Sequence, residues 1–447
     1  MTTFHLRTDP QGPLPTDTNA FLLDWFTGPQ RQRSTIAASR DLLFGLQPSS
    51  TARDLLHVAA AVYCADKVAR RDATRDAWTR ELELELPVGN RARWQRARPA
   101  LTEALGFLSG DRWKLRFRAS GEQPPRGETR VAPPDAVCLF SGGLDSLTGA
   151  IDLLEQGQQL ILVGHFDSGY IGGVQDTLCA QLRRVHRERV RIRKLQLSPA
   201  KPNRLQARPL PDGEERERTT RARSFLFIAA GLAVASAFDD SVPLHMPENG
   251  FIGINVPFVA SRAGSNSTRT THPYFLEQLG LALAELGIGN PIVNPYRLQT
   301  KGELLAGCRN PELLTALADR SVSCAHPESG RYERQPPGNC GSCFPCLIRR
   351  AALHHIGLDS PANYRRDALS DAELRSGETD RGADLRAVRR GLTREPRAED
   401  VLRNGAVPAA DALAFADVHR RGRAELAVWL GSSGRRTRRR PRQGRNG

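Results

Sequence analysis

Long hydrophobic stretches are missing from the 447-residue sequence. A helix that crosses a membrane needs about 20 consecutive, mostly apolar residues, and the chain contains no such run. The opening residues, MTTFHLRTDPQGPLP, also lack the basic and apolar regions of a secretory leader. We therefore expect a cytoplasmic protein with no membrane partner, long enough for two or three domains.

Acidic and aromatic residues are missing from the C-terminal tail. Residues 435–447, RRTRRRPRQGRNG, contain seven arginines, so nearly half of the net charge of +15 lies there. A segment of this composition is predicted to be disordered, and we place its start at 431, so that it spans 431–447. It is either simply solvated or an arm that touches nucleic acid or an acidic partner. No aromatic residue interleaves the arginines, so base stacking is not indicated.

The rest of the chain divides by pattern into three parts. Residues 1–130 predict a small α+β accessory domain, because helical spacing over 51–70 is followed by strand-like alternation over 80–88. Residues 136–358 alternate short buried strands with amphipathic helices, which predicts an α/β domain with a doubly wound parallel sheet. Residues 360–430 contain short helical pieces without a chemical motif, and we expect a helical appendage there.

A serine and glycine turn, SGGLDS, joins the first strand of the α/β domain to its first helix. Helix starts of this kind bind anions through free amide groups, and glycines let the backbone approach a phosphate closely. The lysine of a Walker loop is absent, and Asp145 stands in the turn instead. A carboxylate beside a polyphosphate needs a cation between them, so the loop predicts ATP phosphates together with Mg²⁺. The candidate nucleotide-binding residues are Ser141, Gly142, Gly143, Leu144, Asp145 and Ser146.

Four of the eight cysteines are scattered singly, and the other four cluster between positions 324 and 346. The clustered residues are spaced C-x15-C-x2-C-x2-C. Two overlapping C-x2-C steps bring three sulfurs into one turn, and the distant cysteine completes the four-thiolate tetrahedron of a structural Zn²⁺ site. An iron–sulfur cluster or disulfides are the alternatives. The predicted zinc ligands are Cys324, Cys340, Cys343 and Cys346.

The turn at 141–146 resembles the SGGxDS signature of the PP-loop ATP pyrophosphatases, which cleave ATP between its α and β phosphates. FDSG at 166–169 resembles a second-strand element of that family that helps to enclose the adenosine. The resemblance implies nucleotide contacts for Phe166 and Asp167. In FDSG, Ser168 replaces the tyrosine of the family pattern.

Three further segments narrow the resemblance. TKGELL at 300–305, SVSC at 321–324 and CGSCFPCLIRRAAL at 340–353 resemble, in that order, segments of the 7-cyano-7-deazaguanine synthases, the QueC family. The resemblance implies that the carboxylate of 7-carboxy-7-deazaguanine attacks the α-phosphate of ATP and that a nitrogen nucleophile then displaces AMP. Lys301 and Arg349 are the cations expected near the phosphates, and together with Asp145 they are the candidate catalytic residues.

The segment 248–273 departs from the synthases, because it lacks the acid-rich loop expected there. Glu248 and Asn249 are candidates for reading a guanine-like edge, and Arg269 for binding a carboxylate or phosphate. Arg223 opens a helix whose start resembles that of the corresponding synthase helix. This segment, the N-terminal domain and the chain length are similar to the QatC family, the QueC-like proteins of the Qat antiphage defence system. That likeness implies transfer of the activated carboxylate to an amino group on a partner protein.

Three alternatives remain at this stage. The first is a queuosine-pathway synthase that uses ammonia and a second ATP to make a nitrile. The second is a tRNA thiolase or lysidine synthetase, since these enzymes share SGGxDS and need a basic surface. The third is a nucleotide-binding scaffold without catalysis.

Overall fold

The fold is given by a computed structural model that describes residues 1–39, 41–120, 128–201, 209–259, 269–377 and 380–431. The strands are β1 Thr2–Arg7, β2 Phe21–Asp24, β3 Ile36–Ala38, β4 Glu81–Val88, β5 Arg112–Ala119, β6 Ala136–Leu139, β7 Leu160–His165, β8 Val190–Leu195, β9 Leu197–Pro199, β10 Leu244–His245 and β11 Ile292–Val293. The helices are α1 Ser50–Val68, α2 Arg91–Ser109, α3 Leu144–Glu155, α4 Gly169–His186, α5 Arg223–Ala235, α6 Gly250–Ile254, α7 Pro273–Leu286, α8 Lys301–Ala306, α9 Pro311–Ala318, α10 Phe344–His355, α11 Glu373–Ser376, α12 Ala383–Leu392 and α13 Ala412–Gly431. None of the helices in these described ranges is both long and apolar enough to cross a bilayer.

The central sheet has the strand order β11-β10-β6-β7-β8, and every neighbouring pair in it is parallel. Alternate residues of β6 face opposite sides of this sheet. Val137 and Leu139 belong to the apolar cluster that contains α5, whereas Ala136 and Cys138 belong to the cluster that contains α3 and α4. Helices therefore bury both faces, as parallel sheets require, and the prediction of an α/β fold with a parallel sheet is confirmed.

A second sheet lies in the N-terminal part, with the order β2-β1-β4-β5. All of its pairs are parallel as well. The prediction of an α+β domain over 1–130 is therefore wrong, and this region is α/β. The alternation over 80–88 indicates a half-buried strand but not the direction of its partner. The parallel pairing follows from the long connections, such as α2 between β4 and β5.

The N-terminal region shares its core with the central domain. Helix α1 packs against α5, and α2 packs against α7. A single apolar cluster contains Phe4 and Trp94 as well as Phe225 and Phe275. The short strands β3 and β9 also pair, in antiparallel orientation, and so join residues 36–38 to 197–199. The predicted boundary at 130–136 thus separates two sheets but not two cores.

The C-terminal region is helical, in agreement with the pattern over 360–430. Helix α13 packs against α10, α8 and α6, and Trp429 on it is fully buried among apolar side chains. Of the predicted Arg-rich tail at 431–447, Gly431 is the last residue of α13, and residues 432–447 lie outside the described residues.

Candidate active site and metal centre

The SGGLDS turn lies at the carboxyl end of β6 and leads into α3. Gly142 adopts φ +87°, a left-handed conformation that favours glycine. Gly143 is the N-cap residue of α3 and brings no side chain to cap the helix. The Ser141 Oγ accepts a hydrogen bond from the Gly143 amide at 3.3 Å and lies 3.2 Å from the Ser146 Oγ. The turn therefore combines a helix start, glycines and hydroxyls, which are the features that bind an oxyanion.

Asp145, in the first turn of α3, meets two other predicted site residues. Its Oδ1 lies 2.8 Å from the Lys301 Nζ. Its Oδ2 accepts a hydrogen bond from the Asn249 Nδ2 at 2.7 Å. All three residues are buried. In sequence, Asn249 and Lys301 lie 104 and 156 positions after Asp145, and the fold brings all three together.

Short helices carry the two partners of Asp145. Asn249 is the N-cap residue of α6, and its Oδ1 accepts from the Ile252 amide at 3.0 Å. Lys301 is the first residue of α8, whose N-cap residue Thr300 forms a reciprocal capping box with Glu303. The sequence TKGE at 300–303 therefore supplies both the capping residues of α8 and the lysine at its first position.

A cavity of about 260 Å³ opens beside the turn. Its apolar wall includes Phe227 and Met246, and its polar lining comes from the turn, from α5 and from the segments before α6 and α7. The polar residues are Ser141, Ser146, Arg223, Glu248, Thr270 and Thr271, with Thr220 and Ser224 beside them. A cavity with an apolar wall and a few converging polar groups suits a small aromatic ligand.

Glu248 is the carboxyl group of this cavity. Burial raises its pKa to about 7, and the charge of Asp145 adds to the rise. A hydrogen bond from the Thr271 Oγ1, at 2.6 Å, and the charge of Lys301 oppose it. Near neutral pH this group therefore exchanges readily between an acceptor-only carboxylate and a carboxylic acid that can donate.

Arg223, the first residue of α5, lines the cavity and donates hydrogen bonds to the buried His165. Its Nε donates to the His165 Nδ1 at 3.1 Å, and its Nη2 donates to the His165 carbonyl at 3.3 Å. Burial, with a smaller contribution from the Arg223 charge, lowers the pKa of His165 to about 3. The imidazole is consequently neutral, with Nδ1 as the acceptor. Sequence patterns do not single out this histidine, because it ends an ordinary apolar strand.

Phe166 and Asp167 follow directly after His165. The Asp167 Oδ1 accepts a hydrogen bond from the Tyr63 hydroxyl at 2.7 Å. Burial opposes ionisation of Asp167, but the charge of Arg223, the nearby His165 and the Tyr63 hydroxyl outweigh it and lower the pKa of Asp167. The Phe166 ring faces the Lys194 ammonium, 5.2 Å from the ring centroid. Tyr63 comes from α1, so the N-terminal region reaches the edge of the site.

Asp66, also on α1, fixes the start of α5. Its Oδ2 accepts from the amides of Arg221 and Ala222, both at 2.8 Å. Asp66 belongs to a fully buried ion-pair cluster with Arg71, Arg80 and Asp111. The cluster thereby anchors the helix that carries Arg223.

Two of the predicted site arginines do not line the cavity. Arg349 is fully buried and donates to the Ser321 Oγ and to the Ala318 carbonyl, both at 2.7 Å. It approaches the turn only through the Ser323 Oγ, at 3.5 Å, which in turn accepts from the Leu144 amide at 3.4 Å.

Arg269, the other outlying residue, bridges the N-terminal and C-terminal regions. It donates to the Phe107 carbonyl at 2.6 Å and to the Asn404 Oδ1 at 3.1 Å. Its guanidinium also lies 4.5 Å from the centroid of the Phe107 ring, and burial lowers the pKa of this arginine. Its neighbours Thr270 and Thr271 line the cavity instead.

The four clustered cysteines form a candidate metal centre. Their sulfur atoms all lie within 4.8 Å of one another. The Cys324–Cys343 and Cys340–Cys346 sulfur pairs are each 3.8 Å apart. A tetrahedral zinc site with Zn–S bonds of about 2.3 Å has S–S edges of about 3.8 Å, so the observed spacing fits one such ion. Backbone amides, including Cys343 N at 3.3 Å from the Cys340 sulfur, point at the sulfurs as they do towards thiolates.

The metal centre is tied to the SGGLDS turn by the segment just before Cys324. The Val322 amide donates to the Gly142 carbonyl at 2.9 Å. Asn339, next to Cys340, donates to the Ser321 carbonyl at 3.2 Å and accepts from the Ser323 amide at 3.0 Å. A metal that fixes the cysteines therefore also fixes the strip of chain that supports the turn.

The four scattered cysteines are buried thiols. Burial raises the pKa of Cys138 and of Cys308 to about 12, and it raises the pKa of Cys64 and Cys179 as well. None of these four is therefore set up as a reactive thiolate.

The turn, the cavity and the four-sulfur centre are seen in the structure of this chain, and the comparisons with known proteins add nothing to them. No protein-family model, no curated protein and no solved structure matches it.

Proposed function

We propose that this chain is an ATP-dependent carbon–nitrogen ligase of the PP-loop ATP pyrophosphatase type. In this proposal it adenylates the carboxylate of a 7-deazaguanine and joins that carboxylate to an amine, with a structural Zn²⁺ ion on the four cysteines. The observation that carries the proposal is the pairing of Asp145 with Lys301 at the start of α3, where the neighbouring Ser146 lines a cavity that suits a heterocycle.

The turn suits a pyrophosphate with its metal. A carboxylate has about four lone-pair sites, and Lys301 and Asn249 engage one oxygen each on Asp145. Asp145 thus keeps acceptor capacity for Mg²⁺, which prefers one or two carboxylates combined with phosphate oxygens and water. The amides at the start of α3 and the hydroxyls of Ser141 and Ser146 would hold the phosphate oxygens.

The chemistry follows from the poor reactivity of a carboxylate. Its oxygen attacks the α-phosphorus of ATP, the bond to the bridging oxygen of the β-phosphate breaks, and pyrophosphate leaves. An amine nitrogen then attacks the acyl carbon, the bond to AMP breaks, and the nitrogen loses a proton to give the amide. The Lys301 ammonium would offset the negative charge that grows on the leaving pyrophosphate.

The cavity lining fits the deazaguanine part of the proposal. An ionised Glu248 would accept the two N–H groups of a guanine-like edge, and Arg223 would pair with the substrate carboxylate. Phe227 and Met246 would lie against the ring faces. Arg349 would act from behind the turn, through Ser323, and not on the phosphates themselves.

The acceptor amine is proposed to belong to a partner protein of an antiphage defence system. Product analysis separates this from the nitrile-forming alternative. Purified enzyme incubated with ATP, 7-carboxy-7-deazaguanine and ammonia gives the nitrile as its main product if the chain is a housekeeping synthase. Co-expression with neighbouring gene products, followed by intact-mass spectrometry, gives a deazaguanine-sized increment on a partner if the defence assignment holds.

The thiolase alternative is weaker, because a sulfur-transfer enzyme needs an accessible thiolate. Among the described residues, the scattered cysteines are buried with raised pKa values and the other four are gathered in one cluster. Release of pyrophosphate that depends on added tRNA, and that weakens with salt, would restore that alternative.

Asp145→Asn tests the catalytic part, with Asp240→Asn as the control at an exposed position. We expect Asp145→Asn to lower pyrophosphate release by at least about 100-fold, which corresponds to about 3 kcal/mol of transition-state stabilisation, and Asp240→Asn to leave it unchanged. If both variants turn over at the wild-type rate, the site is not an ATP pyrophosphatase, and the scaffold alternative becomes the better account.

A further inference from the structure

We propose that Glu425, on the C-terminal helix α13, is a positioning residue for Lys301. The inference rests on the proposed function for the role of Lys301, but its structural part can be tested without any turnover. It assigns a role in the site to the helical appendage, for which the sequence offers none.

Glu425 holds the start of the helix that carries the lysine. Its Oε1 accepts a hydrogen bond from the Thr300 Oγ1, and its Oε2 accepts from the Gly302 amide at 3.3 Å. These two residues flank Lys301 on either side. The carboxylate on α13 therefore holds the side chain of the residue directly before the lysine and the backbone of the residue directly after it.

A second residue of α13 holds the other half of the same capping box. Arg421, one turn before Glu425, forms an ion pair with Glu303 and donates to the Leu298 carbonyl at 3.1 Å. Glu303 in turn accepts from the Thr300 amide at 2.9 Å. Both side chains of the α8 capping box, that of Thr300 and that of Glu303, are thus bonded to α13.

Gly302 permits this approach. A Cβ atom at position 302 would lie 2.5 Å from the Glu425 Oε1, closer than such contacts are found in proteins. Only a glycine leaves room for the carboxylate to reach the amide at 302. The glycine of TKGE and the glutamate of α13 fit each other as a pair.

The contact with Glu425 matters because α8 is short. It has six residues, and isolated helices of that length are unstable in water. Its start must also hold the Lys301 Nζ 2.8 Å from Asp145 in a place where the lysine is 4 % exposed. Without Glu425, the Thr300 hydroxyl and the Gly302 amide lose their partner, and the lysine loses its fixed starting point.

Chemical acylation of lysines tests the structural part. The chain has five lysines, at 67, 114, 194, 201 and 301, so an acetyl N-hydroxysuccinimide ester and peptide mass spectrometry report each one separately. Glu425→Ala is compared with wild type and with Val428→Ala, a control at an exposed position of the same helix. The exposed Lys201 serves as the internal standard for the reagent.

We expect Lys301 to be acylated roughly 10-fold faster in Glu425→Ala, because local opening exposes it, and at the wild-type rate in Val428→Ala. Pyrophosphate release should fall in kcat by roughly 10- to 100-fold, as expected for a misplaced catalytic group, with little change in the KM for the carboxylate substrate. Glu425→Gln should give intermediate values, since glutamine can accept from Thr300 but presents an N–H group towards Gly302. This graded recovery would not result from a general loss of packing.

A folded Glu425→Ala with wild-type Lys301 acylation and wild-type kcat would overturn the inference. If Glu425→Ala does not fold, Glu425→Gln decides, and wild-type values for both readouts again overturn it. If even the wild-type protein releases no pyrophosphate, the proposed function fails, and the acylation rates still decide whether Glu425 positions Lys301.

Discussion

Replacing Glu248 by glutamine removes a carboxyl group whose ionisation is opposed by its surroundings. In the folded protein, burial and the charge of Asp145 raise the pKa of Glu248 to about 7, from an ordinary value of 4.5. The unfolded chain therefore releases this proton at a lower pH than the folded protein does. As pH rises from 4.5 towards 7, the folded state loses stability relative to the unfolded state, and above 7 the loss is constant.

The size of this loss follows from the shift. Each pKa unit corresponds to about 1.4 kcal/mol, so a rise from 4.5 to about 7 corresponds to at most about 3 to 4 kcal/mol. The side chain also faces an open cavity, where solvent weakens such effects, and we therefore expect about 2 kcal/mol. Glutamine has nearly the same shape and can still accept from Thr271, but it does not ionise. Glu248→Gln should consequently be more stable than wild type at pH 8 and close to it at pH 5.

Urea denaturation of both proteins at pH 5, 6, 7 and 8 measures this difference. Comparison of the two proteins at each pH cancels the other titrating groups, and Glu277→Gln, at an exposed position of α7, is the matched control. If the stability difference is the same at pH 5 and pH 8, or if the variant is less stable than wild type at pH 8, then the raised pKa of Glu248 does not lower the stability of the wild-type protein.

Three further predictions concern the loop, the metal and the N-terminal region. Lys301→Met leaves the Asp145 carboxylate buried without its cation, so we expect a loss of about 3 to 5 kcal/mol in the free energy of unfolding, measured by urea denaturation, together with loss of pyrophosphate release. The purified protein should contain one Zn²⁺ per chain by elemental mass spectrometry. Removal of the metal by a strong chelator should speed amide hydrogen exchange at 141–146, because the segment before Cys324 supports that turn. Unchanged exchange after complete removal would argue against a link between the metal centre and the turn. Asp66→Asn should cost about 3 to 5 kcal/mol in stability, because it disturbs a buried charge cluster and the start of α5, whereas Asp72→Asn, at an exposed pair with Arg70, should leave the stability close to that of the wild type.

Local patterns in the sequence predict the turn and the cysteine cluster of the candidate site. SGGLDS follows a buried strand and opens a helix, and the structure has that arrangement between β6 and α3. The cysteine spacing predicts a four-sulfur cluster, and the sulfurs lie within 4.8 Å of one another. Both features depend mainly on residues that are close in sequence, so their spacing alone constrains the geometry.

Contacts between distant segments could not be predicted in the same way. Tyr63 meets Asp167 across 104 positions, and Glu425 meets Thr300 across 125. Neither pair leaves a periodic signal, because each depends on how α1 and α13 pack against the central domain. The parallel order of the N-terminal sheet has the same origin, since a strand pattern does not specify its neighbour. The position of Arg349 after the cysteines indicates that it lies near the loop, but it does not indicate that two serines and a carbonyl engage its terminal nitrogens.

We propose that ATP is cleaved between its α and β phosphates in order to activate a deazaguanine carboxylate. The direct measurement incubates the purified protein with Mg²⁺, 7-carboxy-7-deazaguanine and ATP labelled separately at the α and γ positions, and follows the labelled products. We expect pyrophosphate together with an equal amount of α-labelled adenylate, either as AMP or still joined to the carboxylate, formed only when the carboxylate is present. Formation of ADP and phosphate, or no nucleotide cleavage in the presence of that carboxylate, would contradict it.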